Sequence, residues 1–299
     1  MRSDPVDSVR PRLAISFSGG RTSAVMTKLC LAKYGPTHDI IVTFANTGCE
    51  HPSTLKFVKN CDEVFLFKTV WIEAEVTHGE RVGIRPRIVT HDTASRNGEP
   101  FEEYIKKYGI PNAGSPQCTS RLKTEAMEYY IRKVRGWDVG TYKTAIGIRA
   151  DEMDRVSSKK DEYGFIYPLV DMGWTKAMVK AECRRWPFDL QIPGDHFGNC
   201  TWCWKKSLRK LLTVATEAPS EFDFPARMEA TYGTHKAENA KGRRVFFRGD
   251  RSTLDILELA KQPFTPYTES TKFRQQTLWD DILDVGGGCG ESCEIGADQ

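Results

Sequence analysis

Cys200-Thr201-Trp202-Cys203 sets two thiols two residues apart, the spacing that clasps one metal ion or one edge of a metal cluster. Lys205, Lys206, Arg209 and Lys210 follow at once and can offset the charge of two thiolates. A third thiol, Cys118, opens Cys118-Thr119-Ser120-Arg121-Leu122-Lys123, and Cys289 and Cys293 follow the glycine run Gly286-Gly287-Gly288. Nine cysteines in a reducing compartment read as metal ligands or reactive thiols rather than as a disulfide framework. A thioredoxin-like redox pair would share the Cys-x-x-Cys form, but the βαβ context for it is missing around residues 200–203. Cys30, Cys61 and Cys183 fall on or beside helical stretches and read as buried thiols. The role of Cys49, beside the anion site described next, stays open.

The second chemical stretch is Ser16-Phe17-Ser18-Gly19-Gly20-Arg21-Thr22-Ser23. It follows the apolar run Leu13-Ala14-Ile15 and precedes a helical pattern stopped by Gly35-Pro36. Gly19 and Gly20 let the backbone approach an anion, and the hydroxyls of Ser18, Thr22 and Ser23 can donate to oxygens. The helix N-terminus adds unpaired N–H groups and partial positive charge. No Gly-Lys-Ser/Thr follows, so this is not a Walker loop.

These residues need a scaffold that brings them together. Residues 40–44, rich in β-branched side chains, read as a second buried strand, and strand, helix and strand form a βαβ unit whose ligands sit at the strand C-terminal ends. Asn46-Thr47-Gly48 lies at that edge. A third strand is expected at 69–72 and a fourth at 143–149, the latter ending in Gly147, Arg149 and, downstream, Arg155, whose guanidinium forks suit phosphate or sulfate oxygens. Residues 77–114 read as a long active-site loop with a short helix near 101–107. After Cys118 a helix is expected with Leu122, Ala126, Tyr130 and Val134 on one face. Helices are also expected at 176–186, directly after the Cys-x-x-Cys, and at 252–261.

The 299 residues carry 43 Lys plus Arg against 40 Asp plus Glu, a balance too even to imply nucleic acid by charge alone. A local basic patch at Lys241-Gly242-Arg243-Arg244 could still contact it. No apolar run reaches membrane-span length, and the first residues lack a signal-peptide core, so a cytoplasmic protein is expected.

Ser18-Gly19-Gly20-Arg21-Thr22-Ser23 resembles the PP-loop, Ser-Gly-Gly-x-Asp-Ser, of adenine-nucleotide alpha-hydrolase enzymes, with Thr22 in place of the Asp. The ordered succession of Asn46-Thr47-Gly48, Cys118 with Lys123, Gly147-Ile148-Arg149, Tyr167-Pro168-Leu169 and Cys200-x-x-Cys203 is similar to the phosphoadenylylsulfate (PAPS) reductase family. Asn46 stands where that family has Asp, and Thr119 where it has a second cysteine. The resemblance implies an α/β fold of HUP type, a mostly parallel sheet with helices on both faces, over residues 13–212, with a C-terminal extension at 213–299. It implies an adenine nucleotide, with or without magnesium, held by Ser18 to Ser23, Asn46, Thr47, Gly48, Lys123, Gly147, Arg149 and Arg155. It implies a 4Fe-4S cluster on Cys118, Cys200 and Cys203, with Cys293 or Cys289 as the fourth ligand or an open iron site, and with zinc as the alternative metal. Cys289-Gly290 resembles the mobile Cys-Gly that attacks the nucleotide's sulfur, with a thioredoxin-like reductant completing the cycle. The rival reading on the same scaffold is an ATP-dependent sulfurtransferase that adenylates and thiolates a nucleobase or nucleic-acid backbone. A third is a nucleotide-binding module without catalysis.

Overall fold

The computed structural model describes residues 10–79, 83–236 and 242–268. Cys289, Cys293 and the Gly286 to Gly288 run lie outside them, as does Lys241.

A six-stranded sheet of order β4-β3-β2-β1-β5-β6 forms the centre. Its strands are β1 (Arg12–Ser16), β2 (Asp39–Asn46), β3 (Val70–Val76), β4 (Ile84–Val89), β5 (Tyr142–Ala145) and β6 (Phe165–Ile166). All neighbours pair in parallel except β3 with β4. β1 is central and buried, with Leu13 opposite Ile40 on one side and Lys143 on the other. Each parallel crossover needs a helix, and α1 (Arg21–Tyr34) and α2 (Pro52–Phe65) supply the first two. The C-terminal ends of β1, β2 and β5 therefore open on one edge.

β4 was not expected, since its sequence, Ile84-Arg85-Pro86-Arg87-Ile88-Val89, falls within the presumed loop. A proline and two arginines break the apolar pattern of a strand, yet an edge position tolerates both, because Pro needs no ladder donor on the solvent side. The helix near 101–107 is α3 (Glu99–Tyr108). β5 ends at Ala145, so Gly147 and Arg149 leave the sheet as irregular backbone before a 3-10 turn at Ala150–Arg155. The two-residue β6 is too short to show any periodicity.

After Cys118 the chain winds through a π turn (Ser120–Thr124), α4 (Glu125–Tyr129) and a second π turn (Tyr130–Val134). Each π turn adds a residue to the pitch, so the buried face runs through Leu122, Ala126, Met127 and Ile131. Tyr130 is half-buried and Val134 is exposed, which corrects the uniform spacing expected from the sequence. Three short helices follow β5: α5 (Lys160–Tyr163), α6 (Pro168–Asp171) and α7 (Lys176–Cys183). Cys200 to Lys206 form successive turns rather than a helix start. α8 (Leu208–Glu217) begins later, where the Ser207 hydroxyl accepts from the Lys210 N–H.

Two large apolar cores lie either side of the sheet. One joins β1 and β2 to α1, α2 and α7 through Ile15, Phe17, Phe44, Val58 and Trp186. The other joins β3, α3 and α4 to α8, α9 (Asp223–Tyr232) and α10 (Thr253–Leu259). Phe222, Met228, Phe246 and Ile256 of the extension belong to that second core together with Cys200 and Cys203.

Candidate nucleotide site and cysteine pocket

Gly19 takes φ +82°, and a Cβ there would lie 2.7 Å from Thr54 Cγ2 and 3.1 Å from Phe44. Only glycine fits this combination of left-handed backbone and close packing against α2. Gly20, at φ −92° and ψ 163°, is the N-cap of α1 and carries no side-chain cap. The Ser23 hydroxyl bonds the Gly20 carbonyl at 3.0 Å and accepts from the Ser18 N–H at 3.2 Å, with the Ser18 hydroxyl 2.9 Å away. The serines thus shape the loop from inside. No acid stands in the first turn of α1, which leaves its N-terminal field open to an anion.

Arg21 turns out of the loop. Its guanidinium forms a bidentate pair with Asp189 at 2.7 and 2.9 Å and donates to the Leu190 carbonyl at 2.6 Å, tying α1 to the segment after α7. Its side chain thereby acts as a clamp between these two segments.

Arg149 is the group that reaches the loop. It is buried, and its Nη1 donates to Thr22 Oγ1 at 2.8 Å across 127 residues of chain. Nε pairs with Asp151 at 3.1 Å and Nη2 with Glu152 at 3.2 Å. Three of the five N–H groups of a guanidinium are thereby used, and the fork retains donors for a ligand oxygen. Arg155 pairs with the same Glu152 at 2.8 Å. Thr22, which replaces the family's Asp, serves as the acceptor that seats this arginine over the start of α1.

At the end of β2, Asn46 is fully buried and faces inward. Its Nδ2 donates to Glu73 at 2.7 Å and to the Ser95 carbonyl at 2.9 Å, while its Oδ1 accepts from the Gly48 N–H at 3.2 Å. Glu73, also fully buried, accepts in addition from the Ser95 N–H and hydroxyl and from Arg87. Asn46 is therefore part of the network that keeps a buried carboxylate satisfied. Gly48, at φ +78°, packs against the Gly98 backbone.

Thr47 links the strand edge to the cysteines. Its N–H donates to Glu50 at 2.8 Å, its hydroxyl to the same carboxylate at 2.9 Å, and that oxygen lies 3.6 Å from Cys200 Sγ. Lys123, delivered by the π turn, stands 3.4 Å from Glu50, and Glu50 forms an antiparallel bridge with Cys200. Cys118, Cys200, Cys203, Thr47 and Lys123 line one small pocket, closed by Phe101, Trp202 and Trp204. Thr47 and Cys203 are 156 positions apart in the sequence, and the fold brings them to one wall.

Burial pushes the Cys200 thiol well above its ordinary range, and Glu50 adds to the effect while Lys123 opposes it. Cys49 is pushed up likewise, by burial first and then by Cys200 and Glu50. Burial thus favours the protonated form of both, and a bound metal would oppose it by stabilising thiolate. Among the described residues no three His, Cys, Asp or Glu side chains are gathered closely enough to hold a single metal ion. Trp204 is 4 % exposed and its indole N–H has no partner among the described residues. The pocket holds about 20 Å³ of free space, room for about one water molecule, and its wall also carries Thr119 and Asn199.

A cavity of about 600 Å³ lies along the face of β1, β5 and β6 and meets the cysteine pocket at Thr119. It runs from Ser16 and Thr43 toward Arg12, Tyr142 and Phe165, at the strand N-termini, away from the loop that Arg149 covers.

A family model described as the phosphoadenosine phosphosulfate reductase domain matches residues 12–180. An uncharacterised nin region protein of Escherichia phage lambda is 33% identical over 294 residues, covering 94% of either chain. An uncharacterised protein of Methanocaldococcus jannaschii is 27% identical over 154 residues, 52% of this chain and 26% of that longer one. Among solved structures, a phosphoadenylyl-sulfate reductase from Candida auris, in a phosphate complex, aligns with a TM-score of 0.36 at 18% identity, over 58% of this chain and 72% of that one.

Proposed function

This chain belongs to the phosphoadenosine phosphosulfate reductase domain family, and from that premise we propose that it is an enzyme that binds an adenine sulfonucleotide and reduces it to sulfite with a thiol. The observation that supports this reading best is the hydrogen bond from Arg149 to Thr22, which sets a guanidinium over the glycine loop and the N-terminus of α1. Two cationic elements, one backbone and one side chain, converge where a phosphate or sulfate would lie.

In this proposal the nucleotide's phosphate rests on the Ser18 to Ser23 loop, and the sulfonate points toward Lys123 and the cysteine pocket. The Cys289 thiolate forms a bond to the sulfonate sulfur as the sulfur–oxygen bond to phosphate breaks. AMP or its 3′-phosphate leaves with that electron pair, stabilised by Arg149 and the loop. A dithiol protein of the thioredoxin type then attacks Cys289 Sγ, sulfite departs with the electron pair, and the mixed disulfide resolves on the second thiol of the reductant. Cys118, Cys200 and Cys203 would hold an iron–sulfur cluster, with Cys293 as the fourth ligand in this proposal. Such a cluster supplies a polarisable centre beside the sulfonate.

Incubating the anaerobically purified protein with the sulfonucleotide and a dithiol reductant tests the proposal. Sulfite release is expected in the wild type and is expected to vanish in Cys289→Ser with the visible spectrum unchanged. AMP formation from ATP with no sulfite from either sulfonucleotide would sink the reductase reading.

A further inference from the structure

Asp151, in the 3-10 turn after β5, holds two groups at once. Its Oδ1 accepts from Arg149 Nε at 3.1 Å, and its two oxygens lie 3.2 and 3.3 Å from the backbone N of Lys176, whose N–H opens α7. The Ala150 N–H donates to the Trp174 carbonyl at 2.9 Å, so residues 149–151 are moored to residues 174–176 at two points. The unpaired N–H groups at the start of α7 favour the ionised form of this carboxylate. On the other side, Arg149 carries its Nη1 to Thr22 in the glycine loop, with its side chain only 7 % exposed. A guanidinium is rigid and planar, so a bond at Nε sets the direction in which the Nη donors point.

We infer that Asp151 is a positioning residue for Arg149: it ties the guanidinium to the start of α7 and thereby aims the remaining donors at an anion lying on the glycine loop. This rests on the nucleotide reading above and extends it to a carboxylate, a group that repels an anion. Charge and orientation therefore act in opposite directions. Deleting the carboxylate removes a negative charge near the site and on that ground alone strengthens phosphate binding, whereas loss of the fixed guanidinium weakens it.

The test titrates AMP calorimetrically into the full chain and into Asp151→Ala and Asp151→Asn. Asp151→Ala is expected to bind about tenfold more weakly, the scale of one charge-assisted hydrogen bond. Asp151→Asn lacks the charge but keeps an oxygen for the Nε–H, so it is expected to recover most of that loss. Tighter binding in both variants would make Asp151 a purely electrostatic group, and unchanged affinity with a lowered melting temperature would make it only a cap for α7. Either result, or no rescue by asparagine, overturns the inference. In the wild type, the Arg149 Nε–H, followed by ¹⁵N-arginine NMR and identified by its absence from Arg149→Lys, is expected to exchange slowly with solvent. Rapid exchange would overturn the tie to Asp151 even if Asp151→Ala does not fold. Absence of saturable AMP binding to the wild type would overturn the nucleotide reading and this inference together; saturable binding with the same affinity in Asp151→Ala overturns this inference alone.

Discussion

Asn46 shows how one residue can depart from a family's pattern for a local reason. Glu73, fully buried on β3, needs donors, and Asn46 Nδ2 supplies one at 2.7 Å. Restoring the family's aspartate by Asn46→Asp would set two carboxylates side by side, replacing a hydrogen bond by repulsion. The expected loss is about 3 kcal/mol of stability at neutral pH. One carboxyl of the new pair would have a folded pKa above its unfolded value, so the unfolded chain gives up its proton first and the loss grows as pH rises from the carboxylate range. Chemical denaturation at pH 5 and pH 8 checks this: the variant should fall further below wild type at pH 8, and an equal deficit at both would count against it. That Asn46 faces inward was not legible in the sequence, because its partner lies 27 residues away on the next strand. Thr22 was legible as a hydroxyl at an anion loop, while its role as the seat for Arg149 depends on a contact across 127 residues.

At the scale of elements, the strand–loop–helix at residues 12–34 was readable because apolar run, glycines and helix pattern agree locally. β4 was hidden by Pro86 and its arginines, and the π turns by a pitch that no uniform helical template contains. The start of α2 has its own pH dependence. His51 caps it, its Nδ1 accepting from the Ser53 N–H at 3.1 Å, and burial holds its imidazole below the usual histidine range. The folded protein thus favours the neutral ring. Above the unfolded histidine value of roughly 6.5 both states are neutral and the cap is intact; as pH falls below it the unfolded chain takes up the proton first and stability declines. His51→Ala should lower stability by about 1 kcal/mol at pH 8 and flatten this part of the pH profile. Thermal melts of both proteins between pH 5 and pH 8 would show it, and parallel profiles would remove His51 as the cause.

Across the whole molecule, residues beyond 212 share the core that carries the cysteine pocket. Glu229 on α9 fastens them: Oε1 accepts from the Phe246 N–H at 3.0 Å and Oε2 from the Thr253 N–H at 2.8 Å. Glu229→Gln keeps one acceptor and turns an amide N–H₂ toward the other donor, with an expected cost of about 1–3 kcal/mol in urea denaturation. Because that core also contains Phe101, Trp202, Cys200 and Cys203, the iron–sulfur cluster proposed for this pocket should be lost to a chelator faster from the variant than from wild type. Equal iron release would separate the extension from the pocket. The sequence suggested an appendage here; its composition could not show that Phe222, Phe246 and Ile256 are buried in the second core of the sheet.

The central claim is that an adenine nucleotide binds where Gly19, Gly20 and Arg149 meet, and calorimetric titration of the sulfonucleotide product, AMP or its 3′-phosphate, tests it most directly. Gly20 has an extended backbone that any residue adopts, so Gly20→Val should melt near the wild-type temperature while filling the approach to the loop. Saturable binding to the wild type, weakened at least about tenfold in Gly20→Val, is the predicted result, a difference of about 1.4 kcal/mol or more. The same affinity in both proteins, with both folded, would contradict the account.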